Sequence, residues 1–337
     1  MRAIRYFRTG PAAEVLQLVD LPAPEPARGE VCVRIHASGV NPHDTKGRSG
    51  WTGATVPAGG ITPHSDGAGI IEAVGDGVDL RRVGERVWML GTRPEGTAAE
   101  LVCTSETHAL PLPLALSFAE GAALGVPAVT AWLAVLADGP VTGQTLLVHG
   151  GGGAVGRVVV ELAARSGARV VATVGSKDGR AVAAAKGADV VLNRHTDDVA
   201  AAVLDLTEGR GAERIVDVDF GANQPTTLRA LALHGTVAAY SCSENRTPVL
   251  DYYAFAKKSA RLDFVQGALL NPVQLAQSTA AIGDFLRAGL LRPDIATVLP
   301  LDETARAHEM VEQGAPANVI VTPGASEDAS RPGTETA

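Results

Sequence analysis

Cysteine is scarce: Cys32, Cys103 and Cys242 are the only three in 337 residues, and they stand far apart. Their spacing matches no zinc knuckle and no Cys-x-x-Cys redox pair, so simple packing in a reducing compartment is expected of each. Positive charge is also short, with 29 Lys and Arg against 37 Asp and Glu and a formal net charge of −8. That balance excludes a general nucleic-acid binder, which needs a basic surface for the phosphate backbone. No apolar run is long enough to span a bilayer. The opening MRAIRYF lacks the apolar core of a secretory signal. A cytoplasmic protein with no membrane partner is the expectation. What the chain does have is 46% hydrophobic residues, ample for two cores, and a length that suggests two domains.

The pattern of those hydrophobic residues changes along the chain. Up to about Leu124, short strand-like runs alternate with turns: Glu30 to His36, Gly69 to Val74, Arg86 to Leu90 and Ala99 to Val102. Linkers such as LPAPEP are rich in Pro and Gly. From Pro127 the reading becomes helix, Ala128 to Ala137, and then strand–helix units starting at Leu146, Ala168, Asp189, Glu213 and Gly235. Alternation of this kind predicts an α/β fold with a doubly wound parallel sheet. A helix over Val273 to Ala288 and a strand over Ala317 to Thr322 close the ordered part. The polar tail from Gly324 is expected to be disordered.

The most informative stretch is Leu146 to Gly156, LLVHGGGGAVG. Thr145 to Val148 reads as a buried strand, Val155 to Ala164 as a helix, and Gly151, Gly153 and Gly156 satisfy G-x-G-x-x-G. Strand, glycine turn and helix make a dinucleotide-binding corner. The glycines permit the turn, the approach of backbone to a pyrophosphate, and close helix packing, while the helix start offers free N–H groups. A second strand, Ala168 to Thr173, follows at the expected distance. An NAD site usually places Asp or Glu at the tip of that strand. Here the strand runs into Val174, Gly175, Ser176 and Lys177, a hydroxyl and an ammonium suited to a 2′-phosphate. NADPH is therefore expected over NADH, with Asp178 beyond the turn as the cap of the next helix.

Several motifs stand in a fixed order: ASGVNPHDTKGRSGW, ITPHSDGAGIIEAVGDGV, VGERVW, GAALGVPAVTAW and LLVHGGGGAVG. Together they resemble the quinone oxidoreductase, ζ-crystallin-like branch of the zinc-independent medium-chain dehydrogenases/reductases, over nearly the whole chain. The resemblance implies a GroES-like catalytic domain from residues 1–124 and 265–323. It implies a Rossmann cofactor domain from residues 125–264, an active cleft between the two, and a tail over 324–337. Zinc-dependent relatives carry Cys, Gly-His-Glu and a second Cys where this chain has Asn41, Ser65 with Asp66, and Val126. Asn, Ser and Val do not make a tetrahedral zinc site, so no metal is expected. The four-cysteine structural lobe is also missing, with Gly91 to Gly96 in its place.

By the same resemblance, Gly152, Gly153, Ala154 and Val155 match the pyrophosphate turn, and Gly175, Ser176 and Lys177 the 2′-phosphate corner. Arg194 stands beside the adenine. Asn223, Thr130, and Tyr240 to Ser243 (Tyr240, Ser241, Cys242, Ser243) match cofactor contacts, as do Phe264, Val265 and Gln266. Asn41 falls near the nicotinamide ribose. Relatives have a tyrosine where this chain has Lys46, and Trp51 is able to restore an aromatic wall. A lysine there could stabilise a developing enolate or hydroquinone anion. His43 and Arg48 are further candidates for the mouth of the cleft.

A site without a Lewis acid suits hydride transfer to a strong electrophile. The expected activity is NADPH-dependent reduction of a quinone. Reduction of an α,β-unsaturated carbonyl is the nearest alternative, and a non-catalytic NADPH-binding protein a more distant one. A homodimer is expected, paired through Thr236 to Ser241 and the apolar run Leu262 to Val265.

Overall fold

The computed structural model describes residues 1–91 and 95–324. Contacts divide the chain into two units, Met1–Gly125 with Asp294–Ala337, and Val126–Pro293. Residues 265–293, expected with the first domain, therefore group with the second. Their helix, Pro272–Arg287, starts on a capping box in which Asn271 Oδ1 accepts from Gln274 N at 2.9 Å. Residues 325–337 of the expected disordered tail lie outside the described residues, as does part of the Gly91 to Gly96 segment.

The first unit is built on a seven-stranded sheet around the long strand Glu30–Val40. This strand pairs antiparallel with Asp66–Val74, Leu101–Ser105 and Asn318–Thr322. Val31, Val33, Ile35, Ile71, Val87 and Met89 fill the core beside it. The strand runs four residues beyond the expected His36. Ser38, Gly39 and Val40 find backbone partners in Val319–Val321, from the far end of the chain, and such a partner is invisible to local pattern. Gly39 is required there, since a Cβ would lie 2.1 Å from the Ala122 carbonyl oxygen. Asn41 is the next residue, at the strand's exit.

The second unit is a six-stranded sheet, every pair parallel. Its strands are β1 (Thr145–Val148), β2 (Arg169–Val174), β3 (Val190–Asn193), β4 (Ala212–Asp217), β5 (Leu231–Ala239) and β6 (Arg261–Phe264). The spatial order is β3-β2-β1-β4-β5-β6, the dinucleotide-binding arrangement whose order reverses beside β1. Leu147, Val171, Ile215 and Val237 pack at its centre. The order corrects one expectation. β5 lies between β4 and β6, so Thr236–Ala239 is already paired on both sides and cannot take a partner strand. The open edge on that side is β6.

Candidate cofactor and catalytic sites

The glycine turn joins β1 to the helix Ala154–Arg165. Gly150 N and Gly151 N donate to Thr173 Oγ1 and Thr173 O at 3.2 and 2.9 Å, which ties the turn to β2. Gly156 packs against the turn, where a Cβ would stand 2.1 Å from Gly150 O. The helix takes no side-chain cap at Gly153, which leaves the N–H groups of its first turn at Ala154 and Val155 to an anion. Sequence reading missed Arg157. It is buried, and its Nε donates to Gly152 O at 2.8 Å, bracing the turn. The available signal was an arginine directly after the last glycine of the turn, at the head of a largely apolar helical run.

At the end of β2, Gly175, Ser176 and Lys177 are exposed. Ser176, not Asp178, caps the helix Lys177–Ala185, with its Oγ accepting from Gly179 N at 3.1 Å. The serine hydroxyl proton stays available to an acceptor outside. Arg194 arrives from the end of β3, with its N–H bonded to Val174 O at 2.9 Å. A Cβ on Gly175 would lie 3.2 Å from Arg194 Nε. The Ser176 hydroxyl and the Arg194 guanidinium thus flank Gly175, with the exposed Lys177 next in the chain.

The other sequence candidates fall into two groups. Asn223 Nδ2 donates to Asp217 Oδ1 at 2.8 Å, and Thr227 Oγ1 donates to Asp217 Oδ2 at 3.1 Å. Tyr240 N donates to Asp217 O, and burial together with the Asp217 charge pushes the Tyr240 phenol up. Asn223 and Tyr240 therefore surround one buried carboxylate. Past β5, the Ser241 and Ser243 hydroxyls lie 3.0 Å apart, Ser243 N donates to Asp219 Oδ1, and Cys242 Sγ donates to Asn245 O. In the second group, Val265 N donates to Ala239 O. Gly267 sits against the buried Thr130, where a Cβ would lie 2.9 Å from Thr130 Oγ1. Thr130 is thereby brought to the segment Phe264, Val265 and Gln266, of which Phe264 is 77% exposed.

In the first unit, Asn41 caps the helix Pro42–Ser49. Its amide Nδ2 donates to Asp66 Oδ2 at 2.8 Å and its backbone N donates to Asp44 Oδ2 at 2.9 Å. His43 Nε2 lies 3.0 Å from Asp44 Oδ1 and 2.8 Å from Ser65 Oγ. Burial pushes the Asp44 carboxyl up, but the His43 imidazole beside it and the Asn41 N–H outweigh that and hold it well below the usual carboxylate range. Asn41 is thus held rigidly by two carboxylates. Lys46 and Trp51 also meet, with the Lys46 ammonium 4.7 Å from the Trp51 ring centroid, a cation–π contact. Arg48 does not line a mouth. It is 1% exposed, bonded to the Gly10 carbonyl and to Glu312 on the helix Thr304–Glu312.

Behind Asp66 runs a buried hydrogen-bond chain whose protons are assigned by counting donors. Thr97 Oγ1 donates to Asp66 O at 2.5 Å, so its proton is spent. Ser38 Oγ, 2.7 Å away, must then donate to Thr97 and accept from His64 Nδ1 at 2.8 Å. His64 Nε2 is left to accept from His308 Nε2 at 2.9 Å. Both imidazoles are neutral: burial pushes His64 down to about 4 and His308 well below its ordinary value, although Asp44 opposes both. A depressed histidine pKa means that the unfolded chain binds the extra proton first, so stability falls as pH falls below about 6.5. His64 alone removes about 3 kcal/mol by pH 4. Urea unfolding should show this loss, and His64→Gly should reduce it to the share that His308 contributes. Glycine suits the backbone there, since His64 holds φ 76°.

Among the described residues, no three His, Cys, Asp or Glu side chains are grouped to hold a metal ion. The zinc-ligand places are occupied by an Asn41 amide spent on Asp66, a serine and the apolar Val126, a donor set that does not fit zinc. No helix among them is long and apolar enough to cross a membrane.

Comparison with known proteins agrees with this architecture. Residues 27–114 match the family model of the alcohol dehydrogenase GroES-like domain, and residues 154–274 that of the zinc-binding dehydrogenases. The chain is 33% identical to the quinone oxidoreductase of Rattus norvegicus, over 92% of this chain and 93% of the relative. Among solved structures, an NAD-dependent alcohol dehydrogenase superposes with a TM-score of 0.87 at 30% identity, covering 96% of this chain and 100% of the other. A mycobacterial protein complexed with NADPH superposes with a TM-score of 0.86 at 28% identity, covering 96% and 100%. With a GroES-like unit, a parallel cofactor sheet in the dinucleotide-binding order and a relative at this identity along almost its whole length, the chain is an oxidoreductase that belongs to the quinone oxidoreductase branch of the medium-chain dehydrogenases/reductases.

Proposed function

We propose that this enzyme is an NADPH-dependent reductase that delivers hydride to a quinone without a metal ion. The observation that carries the reading is the tip of β2, where Ser176 is followed by Lys177, Arg194 lies against Gly175, and no carboxylate stands at the end of the strand. Two cations and a free hydroxyl proton match a 2′-phosphate dianion, whereas a ribose 2′-hydroxyl asks for an acceptor. The cradle at Gly152–Val155 and the uncapped helix start bind the pyrophosphate. Bound NADPH supplies the hydride from its nicotinamide ring. Thr130, Asn223, Tyr240–Ser243 and Phe264–Gln266 orient that ring and its ribose, and Asn41, clamped by Asp44 and Asp66, fixes a donor in place.

Lys46 steadies negative charge on the acceptor oxygen as hydride arrives, with Trp51 as an apolar wall that also holds the ammonium in place. Lys46→Met should lower kcat about tenfold, ~1.4 kcal/mol of transition-state stabilisation, with the Kd for NADPH unchanged. An equal kcat removes Lys46 from the reaction.

Parallel assays of NADPH oxidation with 1,4-benzoquinones and with small enones, each with and without a chelator, test the whole reading. Quinone-dependent oxidation indifferent to chelator is expected. Faster turnover of enones reassigns the acceptor to an α,β-unsaturated carbonyl. Saturable NADPH binding without turnover points to a binding protein, and chelator-sensitive activity overturns the metal-free reading. The family reading also carries a homodimer, with the open edge at β6 as the strand to be covered. Sedimentation velocity reads that directly.

A further inference from the structure

The two cysteines of the first unit are neighbours. Cys32 on Glu30–Val40 stands in direct register with Cys103 on Leu101–Ser105. The hydrogen bonds flanking the pair fix its type. Glu106 N donates to Gly29 O and Ile35 N donates to Glu100 O. Hydrogen-bonded positions alternate along an antiparallel ladder, so the pair Cys32/Cys103 falls at a non-hydrogen-bonded position. Facing Cα atoms there are about 4.5 Å apart, with side chains on one face and closest together. Disulfides span Cα separations of roughly 4.4–6.8 Å, so closure needs no strand movement. Both cysteines are free, and Cys32 Sγ donates to Pro24 O at 3.9 Å.

The pair is also reachable. A cavity of ≈ 270 Å³ is lined by Met1, Leu21, Pro24, Leu101 and Cys103. Cys32 is buried behind it, with its Sγ 3.9 Å from the carbonyl of the same Pro24. Cys103 is half-buried and lines the cavity whereas Cys32 is buried, the division of labour of an attacking and a resolving thiol.

We propose that Cys32 and Cys103 form a redox modification site, closing to a reversible cross-strand disulfide when a small disulfide enters this cavity. The Cys32 thiol beside it and burial push the Cys103 thiol up, so Cys103 first loses its proton to solvent and then, as thiolate, attacks one sulfur of the small disulfide. That S–S bond breaks and one small thiolate leaves. Cys32 then gives up its proton and attacks Cys103 Sγ, expelling the second small thiolate. Two protein thiols are oxidised, one small disulfide is reduced to two thiols, and the two protons lost by the protein go to the released thiolates.

The native full-length protein treated with hydroxyethyl disulfide, then alkylated and mapped by mass spectrometry, tests this without any variant. The expected product is a peptide pair linked through Cys32 and Cys103, reopened by dithiothreitol, with only Cys242 left alkylated. Cys32→Ser should instead leave a stable mixed disulfide on Cys103, because the resolving thiol is gone. Cys103→Ser should leave Cys32 unmodified. Three alkylated cysteines in the treated parent, separate adducts on both thiols, or a Cys32→Ser protein that carries no adduct would each overturn the proposal.

Discussion

Lys177→Ala combined with Arg194→Ala should erase the preference for NADPH over NADH. Each cation offers the 2′-phosphate a charge-assisted hydrogen bond, and such bonds contribute about 1.5–3 kcal/mol apiece. Losing both should weaken NADPH binding by about a hundredfold or more, while NADH affinity changes by less than about threefold. Arg194 is anchored through its backbone to Val174, and its guanidinium lies against Gly175, one residue before the Ser176 cap. A side chain at Gly175 would contend with the guanidinium for the same space. Fluorescence titration of both nucleotides against the double variant measures the effect. A variant that still prefers NADPH would place the phosphate elsewhere.

Gly156→Ala should be the most damaging single methyl in the cofactor unit. The added carbon would sit 2.1 Å from Gly150 O, 2.8 Å from Gly150 C and 2.9 Å from Gly151 Cα. All three are backbone atoms of a turn pinned to Thr173, and none of them is free to swing aside. The helix Ala154–Arg165 must therefore move off β1 and carry its N-terminal amides away from the pyrophosphate. Overpacking of this kind costs about 1–3 kcal/mol in stability. Lost alignment of the amides should weaken NADPH by a further ~100-fold, since phosphate affinity at a helix start depends on several N–H groups converging. Gly153→Ala supplies the contrast: its Cβ would meet Gly150 O at 3.4 Å, ordinary contact, so folding should be nearly untouched. Thermal unfolding without nucleotide and NADPH titration separate the two effects. Normal NADPH affinity in Gly156→Ala would show that this turn is not the cradle.

Both predictions concern features that neighbours in the chain dictate. A glycine turn between a β-branched run and an amphipathic helix is a local arrangement, set within about a dozen residues. The absence of a carboxylate after β2 is likewise read directly. Periodicity located β1, β2 and the helix Pro272–Arg287 to within a residue or two of their ends, because burial on one face imposes a repeat of 2 or 3.6.

The relations that only the folded chain decides join residues far apart in sequence. Periodicity along one strand carries no record of what lies across from it, so Cys32 and Cys103 read as isolated until register placed them opposite each other. His64 and His308 form one proton-ordered pair across 244 residues, and it ends on the carbonyl of the residue that clamps Asn41. Arg48 read as a mouth residue on charge alone, yet it is buried because Glu312 and the Gly10 carbonyl meet it there. Thr236 to Ser241 read as a dimer edge together with Leu262 to Val265, because nothing in β5's own sequence tells that β6, which holds most of the second segment, pairs beyond it. The amino-acid order by itself determined the glycine turn, the residues at the tip of β2 and the class of fold, since all rest on short-range backbone geometry. Tertiary structure alone decided which polar groups face one another, since that depends on strand register and on which chain segments return to the same core.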